Sequence, residues 1–305
     1  MQKIKKYIKP FIIWILSITL IITIILVKNI YFNNSSNELF NYNKIQLSKL
    51  PKNVNNFSFA VMWDNRDGDY VLRKIIKDTN SDKNIIFDVN WWDLVPDGYK
   101  KEFRKYLKLI KTSKKPFLSV IWNHELPWYD WETNYKQMFW KTYFSFTIWD
   151  NYFIVLDDSN EKDLDKQQFS WLKSELEKAK NYKNKFIFMH VPLYDPRKWN
   201  LKEWHSLSDL KQAKQLNDLF DENKITMVFA SHIHFYYKWK WQKTPFIISG
   251  WAWAPLKKYK KHWFYNYVKV TINNDKVRYQ VIKVNVKPLW LINKIIQSIK
   301  DTFNF

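Results

Sequence analysis

From residue 57 onward, short runs rich in β-branched and aromatic residues alternate with longer amphipathic stretches. The runs FSFAVM (57–62), IIFDV (85–89) and FLSVI (117–121) predict strands, with helices near 69–79 and 99–112 between them. Strands that alternate with helices predict an α/β layered fold. The chain has 305 residues, enough for one large domain or two small ones.

The second half of the chain continues this alternation and then becomes rich in strands. Four more strands are predicted at 143–148, 152–157, 185–190 and 225–230, the first two as a hairpin. Helices are predicted at 164–180, with Asp163 as the N-cap, and near 208–222. Strands that continue to about residue 287 predict a second sheet packed on the first.

Polar side chains that a hydrophobic core would exclude follow five of the predicted strands. They are Asp64-Asn65-Arg66, Trp92-Asp93, Asn123-His124-Glu125, His190 and His232-Ile233-His234. In open α/β sheets, ligands bind beyond the carboxyl ends of the strands. Asp, Asn and His are ligand types for hard or borderline metal ions. This pattern therefore predicts a metal site.

Taken singly, each of these pieces has an ordinary explanation. An Asp after a strand is usually a turn residue or an N-cap, and a His at a strand end, such as His190, is usually a hydrogen-bonded polar group. His232 and His234 share one face if their segment stays extended. Five pieces in order, each at a strand end, favour a metal site over these separate explanations.

The ordered set resembles the signature of the calcineurin-like metallophosphoesterases, which reads D-x-H, G-D, G-N-H-[DE], H and G-H-x-H. The resemblance runs from about Phe57 to Leu256. It implies a four-layer αββα sandwich of two mixed β-sheets flanked by helices. It also implies an enzyme that hydrolyses phosphomono- or phosphodiester bonds by attack of a metal-bridging hydroxide.

The resemblance assigns roles to individual residues. The implied ligands are Asp64, Asp93 and His234 for one divalent ion, and Asp93, Asn123, His190 and His232 for the other. Mn, Fe, Zn and Ca all suit these ligands. His124 would stabilise developing charge or protonate the leaving oxygen, and a supporting hydrogen bond is its alternative role. The substrate is a phosphate ester whose class the sequence leaves open.

Arg66 departs from the family pattern, which has His in that place. Arg is always protonated and only donates hydrogen bonds, so it cannot bind a metal ion. Either the first ion has one ligand fewer or Asn65 substitutes. Arg66 is expected instead to hold the substrate phosphate by charge-assisted hydrogen bonds.

The chain has 3 Gly and 18 Trp, whereas Gly is about 7% of ordinary proteins. Trp stands where the family has Gly, at Trp92 and Trp122, and where a hairpin turn favours Gly, at Trp149, because Gly readily adopts positive φ. We hypothesise that most of these Trp residues are glycines in the cell, encoded by UGA codons that some bacteria read as Gly. A Trp-rich protein with a distorted site is the alternative. Trp171, inside a predicted helix, is expected to be a true Trp.

Lysines precede a charge-free run from Pro10 to Val27. Its apolar part, 11–27, is just long enough to cross a hydrocarbon core of ~30 Å at ~1.5 Å per residue. It predicts one N-terminal transmembrane helix in the cell membrane, with the N-terminus cytoplasmic and the catalytic domain outside. A cleaved signal peptide is the alternative, but no Ala precedes Ala60 to form an A-x-A cleavage site.

These features divide the chain into four parts. They are a Lys-rich tip with the anchor (1–28), a polar stalk (29–55), the phosphoesterase domain (56–287) and an amphipathic helix (288–305). The last helix either packs on the domain or lies on the membrane. The loop 195–209 is long enough to be a substrate lid or rim, and His205 and His262 are expected at the surface.

The formal charge of +21 comes almost entirely from Lys, with only five Arg. Sequence-specific nucleic-acid readout relies on Arg, so no specific nucleic-acid partner is predicted, and AT-rich codon usage accounts for much of the Lys.

The absence of Cys excludes disulfides, Cys-ligated zinc and a thiol nucleophile. A non-catalytic surface protein of the same fold, binding anionic polymer or lipid through its Lys-rich face, is the alternative to an enzyme. The sequence indicates no oligomeric state.

Overall fold

The structure, a computed structural model, describes most of the predicted domain and a few residues near the N-terminus. The described residues are 17–20, 22–23, 40–63, 68–91, 94–95, 98–121, 131–196, 205–233, 236–249, 264–274 and 276–286. Most of the predicted anchor and all of the predicted helix 288–305 lie outside these ranges. Among the residues described, none of the helices is both long enough and apolar enough to span a bilayer.

The first sheet, here sheet A, has five strands in the order β11-β10-β1-β2-β3. They are β1 (Asn56–Trp63), β2 (Ile85–Trp91), β3 (Phe117–Val120), β10 (Asn266–Asn273) and β11 (Lys276–Lys283). The neighbouring helices are α1 (Tyr42–Ser48), α2 (Asp69–Ser81), α3 (Lys100–Ile110) and α4 (Trp131–Phe139). Strands β1, β2 and β3 run parallel, and β10 and β11 pair antiparallel.

The second sheet, sheet B, has six strands in the order β4-β5-β6-β7-β9-β8. They are β4 (Phe144–Ile148), β5 (Asn151–Val155), β6 (Asn184–Phe188), β7 (Met227–Ala230), β8 (Tyr237–Trp241) and β9 (Thr244–Ile248). Its helices are α5 (Lys166–Ala179) and α6 (Leu210–Glu222). The four central strands are parallel, and β4 and β8 are antiparallel edge strands.

Aromatic side chains fill the space between the two sheets. Phe59 of β1 stacks on Phe87 of β2, with ring centroids 5.1 Å apart, and meets Phe153 and Phe186 of sheet B edge to face at 5.5 and 5.4 Å. Their fully buried rings belong to one apolar cluster. Because successive strand residues face opposite sides, Ala60 faces the helices instead. Both sheet faces are covered, which explains why β1 reads as a continuous apolar run.

Helices cover the outer face of each sheet. In α2, Leu72, Ile75, Ile76 and Thr79 are buried, at the spacing of one helical face. Helices α5 and α6 enclose a separate apolar cluster on sheet B. Two mixed sheets flanked by helices confirm the predicted α/β sandwich.

Several element boundaries differ from the sequence predictions. Helix α5 has Asp165 as its N-cap, with the Gln168 amide donating to its side chain at 2.8 Å. Asp163 is therefore not the N-cap, because it lies in a turn where its amide donates to the Asn160 side chain. Strand β6 ends at Phe188, two residues earlier than predicted.

The segment predicted to be a stalk contains helix α1. Its Tyr42 and Asn43 are buried. The Asn43 amide donates to the Ser119 carbonyl at 2.6 Å, and its side-chain oxygen accepts from the Ser119 amide at 2.9 Å. One side chain thus pairs with edge strand β3 as a neighbouring strand would.

Candidate functional site

The predicted site residues follow the carboxyl ends of parallel strands in both sheets. Strands β1, β2 and β3 end at Trp63, Trp91 and Val120, and β6 and β7 end at Phe188 and Ala230. Of the predicted site residues, His190 and His232 are described. Asp64, Arg66, Asp93, Asn123, His124 and His234 lie outside the described residues.

The structure brings His190 and His232 together. Each lies two residues after the end of its strand, and β6 and β7 are parallel neighbours. His232 Nδ1 lies 2.9 Å from His190 Nε2, and the two rings are at 82°. The His190 side chain is fully buried and that of His232 nearly so.

Asp158 holds the backbone that carries His190. It follows β5, the other parallel neighbour of β6. Its two carboxyl oxygens accept hydrogen bonds, one from the His190 amide at 2.8 Å and the other from the Val191 amide at 2.7 Å. Burial raises the pKa of Asp158 to about 8, and the two amide hydrogen bonds oppose that rise. Sequence reasoning missed this residue. Its only local signal was an acidic pair at the end of an apolar strand.

The backbone turns sharply at His232. This residue has φ 64°, and the Ile233 amide donates to the Ser231 carbonyl at 2.6 Å. A positive φ inside such a three-residue turn is rare for a residue other than Gly and stores strain. The segment is therefore not extended at His232, so the extended conformation on which the shared face of His232 and His234 depends is not present at that residue.

His205 belongs to the same cluster. Its ring lies 5.7 Å from the ring of His232 and is half-buried. The end of the predicted loop 195–209 is attached to the domain because the Leu207 amide donates to the Pro192 carbonyl at 3.1 Å. The expectation that His205 is a surface residue is wrong, because this attachment places the ring against His232. Residues 197–204 of the loop predicted to be a substrate lid or rim lie outside the described residues.

A buried polar network lies beneath the ends of β2 and β3. The Asn90 amide donates to the Tyr106 hydroxyl at 2.7 Å, and that hydroxyl lies 3.0 Å from Ser119 Oγ. Tyr135 OH donates to the Ser119 carbonyl at 2.7 Å, next to the Asn43 pairing. The network fixes the ends of β2 and β3, which Asp93 and Asn123 follow within two or three residues in the sequence.

The donor set suits a divalent metal ion. The 2.9 Å between His190 Nε2 and His232 Nδ1 is a hydrogen-bond distance. Two nitrogens bound to one ion at about 2.1 Å would be about 3.0 to 3.4 Å apart, so the two rings need to separate only slightly to bind one ion. Across the described ranges, no group of three or more His, Asp or Glu side chains converges on one point. The further ligands that the sequence predicts are outside those ranges.

The motif order agrees with comparisons to known proteins. A family model described as calcineurin-like phosphoesterase matches residues 64–236. No curated protein matches the chain.

Solved structures share the fold at low sequence identity. Purple acid phosphatase PPD1 from yellow lupin is 16% identical, with a TM-score of 0.59 over 76% of this chain and 54% of that one. PhoD is 11% identical, with a TM-score of 0.59 over 76% and 69%. GAP50 of Plasmodium is 15% identical, with a TM-score of 0.57 over 75% and 85%. This chain thus spans about half the length of the lupin phosphatase.

Proposed function

Because the chain belongs to the calcineurin-like phosphoesterase family, we propose that it hydrolyses phosphomono- or phosphodiester bonds at a dinuclear metal site. The observation that carries this proposal is the pair of buried rings at adjacent strand ends, His190 and His232, 2.9 Å apart. The fold shared with purple acid phosphatase PPD1 supports it.

The metal-holding residues would be those of the family motif. They are Asp64, Asp93 and His234 for one ion, and Asp93, Asn123, His190 and His232 for the other. Two divalent ions, when bound, supply an activated water and neutralise charge on the phosphoryl oxygens. Their identity among Mn, Fe, Zn and Ca is not fixed by these ligands.

The protein's own groups would bind the ester and move its proton. Arg66 donates paired hydrogen bonds to the phosphate oxygens. His124 gives a proton to the leaving oxygen or stabilises its charge. Asp158 keeps the His190 ring in place through the backbone amides it accepts from.

The test is hydrolysis of an aryl phosphate monoester and an aryl phosphate diester by the full chain. The gene is expressed with Gly codons at Trp92 and Trp122, and the protein is assayed with each candidate metal and after chelation. We expect turnover that is lost on chelation and restored by one of the metals. Correctly decoded protein that takes up no metal on titration and shows no turnover would overturn the proposal.

We further propose that residues 11–27 anchor the enzyme in the cell membrane with the catalytic domain outside. The support is the charge-free apolar run preceded by Lys residues. Full-length protein should remain in the membrane pellet after alkaline carbonate washing, and external protease should digest the domain in intact cells. Release by carbonate would contradict the anchor.

A non-catalytic role is the second candidate. Arg66 replaces a metal-binding His of the family pattern, and GAP50, which shares the fold, is the anchor in the inner membrane complex of Plasmodium. Such a protein would bind anionic polymer or lipid through its Lys-rich face. Salt-sensitive binding without metal-dependent turnover would favour this candidate.

A further inference from the structure

Two neighbouring cavities open at the start of β3, one beside helix α1 and the other beside helix α2, and both are basic. The larger, about 660 Å³, is lined by Tyr42, Ile45, Gln46, Lys49, Lys111, Ser113, Lys114, Lys115 and Pro116. The smaller, about 320 Å³, is lined by Arg73, Ile76, Lys77, Asn80, Ser81, Thr112 and Lys114. Every charged residue in these two linings is a cation, and Lys114 belongs to both.

This surface, here the basic face, lies at the amino end of strand β3 in sheet A, whereas the candidate site lies at the carboxyl end. The Lys111–Pro116 segment precedes β3, whereas Asn123 follows it, and four strand residues span about 13 Å. The basic face is therefore separate from the residues assigned to catalysis.

The cations on the basic face remain available to a ligand. Lys49, Arg73, Lys77 and Lys114 are exposed. The nearby carboxylates are already engaged, because Asp78 pairs with Lys74 and Asp82 pairs with Lys269. Lys115 is used internally, since it donates to the Thr79 and Asp82 carbonyls. The face thus presents positive charge that its own surroundings do not neutralise.

The chain enters the domain at this same face. Helix α1 lines the larger cavity through Tyr42, Gln46 and Lys49. Residues 28–41, which connect α1 to the apolar run, span at most roughly 48 Å when extended. If the run is embedded in a bilayer, the basic face is within reach of that bilayer's headgroups.

We propose that the basic face docks on anionic phospholipid headgroups of the bilayer that holds the N-terminal run. Juxtamembrane Lys and Arg clusters are attracted to anionic leaflets, and the attraction falls off within a Debye length of about 8 Å at physiological salt. Docking holds the domain with α1 towards the membrane and the carboxyl ends of the strands, where the candidate site lies, facing away. The proposal rests on the proposed membrane anchor and not on catalytic activity.

The chain has no Cys, so one introduced thiol can report docking. Full-length protein carrying Ser81→Cys, at the rim of the smaller cavity, is labelled with an environment-sensitive fluorophore and reconstituted into vesicles. Ser174→Cys, exposed on α5 in the opposite outer layer, is the matched control. In vesicles with roughly one-third phosphatidylglycerol we expect a blue shift at position 81 only, absent from phosphatidylcholine vesicles and lost at about 0.5 M salt.

A charge variant tests whether these particular cations act. Lys49→Gln, Arg73→Gln and Lys114→Gln together should lower the ratio of docked to undocked protein by at least roughly 10-fold. The control, Lys166→Gln, Lys173→Gln and Lys211→Gln, removes the same charge from α5 and α6 and should leave docking unchanged. An equal loss in both triple variants would overturn the proposal. So would a signal at position 81 that is the same in neutral and anionic vesicles, or one that responds to polyuridylate but not to lipid.

Discussion

Asp158 accepts a hydrogen bond from the backbone amide of His190 at 2.8 Å, and its second oxygen accepts from the next amide along the chain. The two residues follow adjacent parallel strands, β5 and β6, so the contact joins the two strand ends. A side chain that offers two acceptors is required, because both partners donate.

Asp158→Asn should weaken metal binding. The amide group replaces one acceptor with a donor, which then faces a backbone N–H and displaces the His190 turn. We expect metal affinity to fall roughly 10-fold or more, measured by elemental analysis and by competition with a chelator. Asp157→Asn is the control, because Asp157 accepts from Ser159 in its own turn and not from the His190 segment. Equal metal affinity in both variants would argue against the positioning role.

His124→Ala should separate chemistry from metal binding. A proton donor contributes roughly 10²-fold or more to turnover, while the predicted ligands remain. We expect kcat to fall by that factor with metal content unchanged. Asp93→Ala, which removes the ligand predicted to be shared by both ions, should abolish both metal binding and activity. Loss of metal from His124→Ala would show that His124 is a structural or ligating residue.

His205→Gln should lower kcat/KM by roughly 10-fold or more without loss of metal, because its ring lies against His232 at the edge of the site. The control is His262→Gln, at a position predicted to be on the surface. Steady-state kinetics on both ester classes, together with elemental analysis, check this expectation. Unchanged kinetics would exclude His205 from substrate contact.

Trp149→Gly should stabilise the protein. Trp149 has φ 51° at the first position of the two-residue turn between β4 and β5, and its side chain is 55% exposed. Gly relieves a left-handed conformation that costs another residue about 1 kcal/mol or more. We expect a higher denaturant midpoint, whereas Trp171→Gly, inside α5, should lower it.

Backbone angles at Trp residues also bear on the hypothesis that UGA codons read as Gly encode most of them. Trp140 has φ 106°, beyond the left-handed region that residues other than Gly occupy. The positive φ angles of Trp140 and Trp149 both support a natural Gly at these two positions. The hypothesis is checked by reading the codons, and UGG at positions 63, 92 and 122 would refute it.

Asp88 should make stability depend on pH. It is fully buried in β2, and burial raises its pKa from 3.8 to about 7, against hydrogen bonds from Thr79 and Ser113. The folded state therefore binds the proton more tightly than the unfolded chain. As pH rises from about 4 to about 7, this group should lower stability by up to about 1.4 kcal/mol per pH unit, with no further change above that range.

The measurement is the free energy of unfolding of wild type and Asp88→Asn between pH 4 and 8. The advantage of wild type over the variant should shrink as pH rises. Asp218→Asn, on the surface of α6, should show no such trend. A constant difference between wild type and Asp88→Asn would contradict the raised pKa.

The alternation of strands and helices was predictable because it depends on residues that are close together in the sequence. Period and residue type identify β1, β2, β3, β6 and β7, and the polar residues after them identify the edge where a ligand binds. Helix α1 was not predictable. Its polar sequence reads as a linker, and the pairing of Asn43 with Ser119 joins residues 76 positions apart.

The sequence by itself determined the layered fold, the family motif and the candidate ligands, because strand patterns and short motifs depend on neighbouring residues. Only the tertiary structure decided that Asp158 supports His190, that His205 lies against His232, and that cations from α1, α2 and the start of β3 share one face. Those relationships depend on how separate elements pack, and no local pattern in the chain encodes the distance between them.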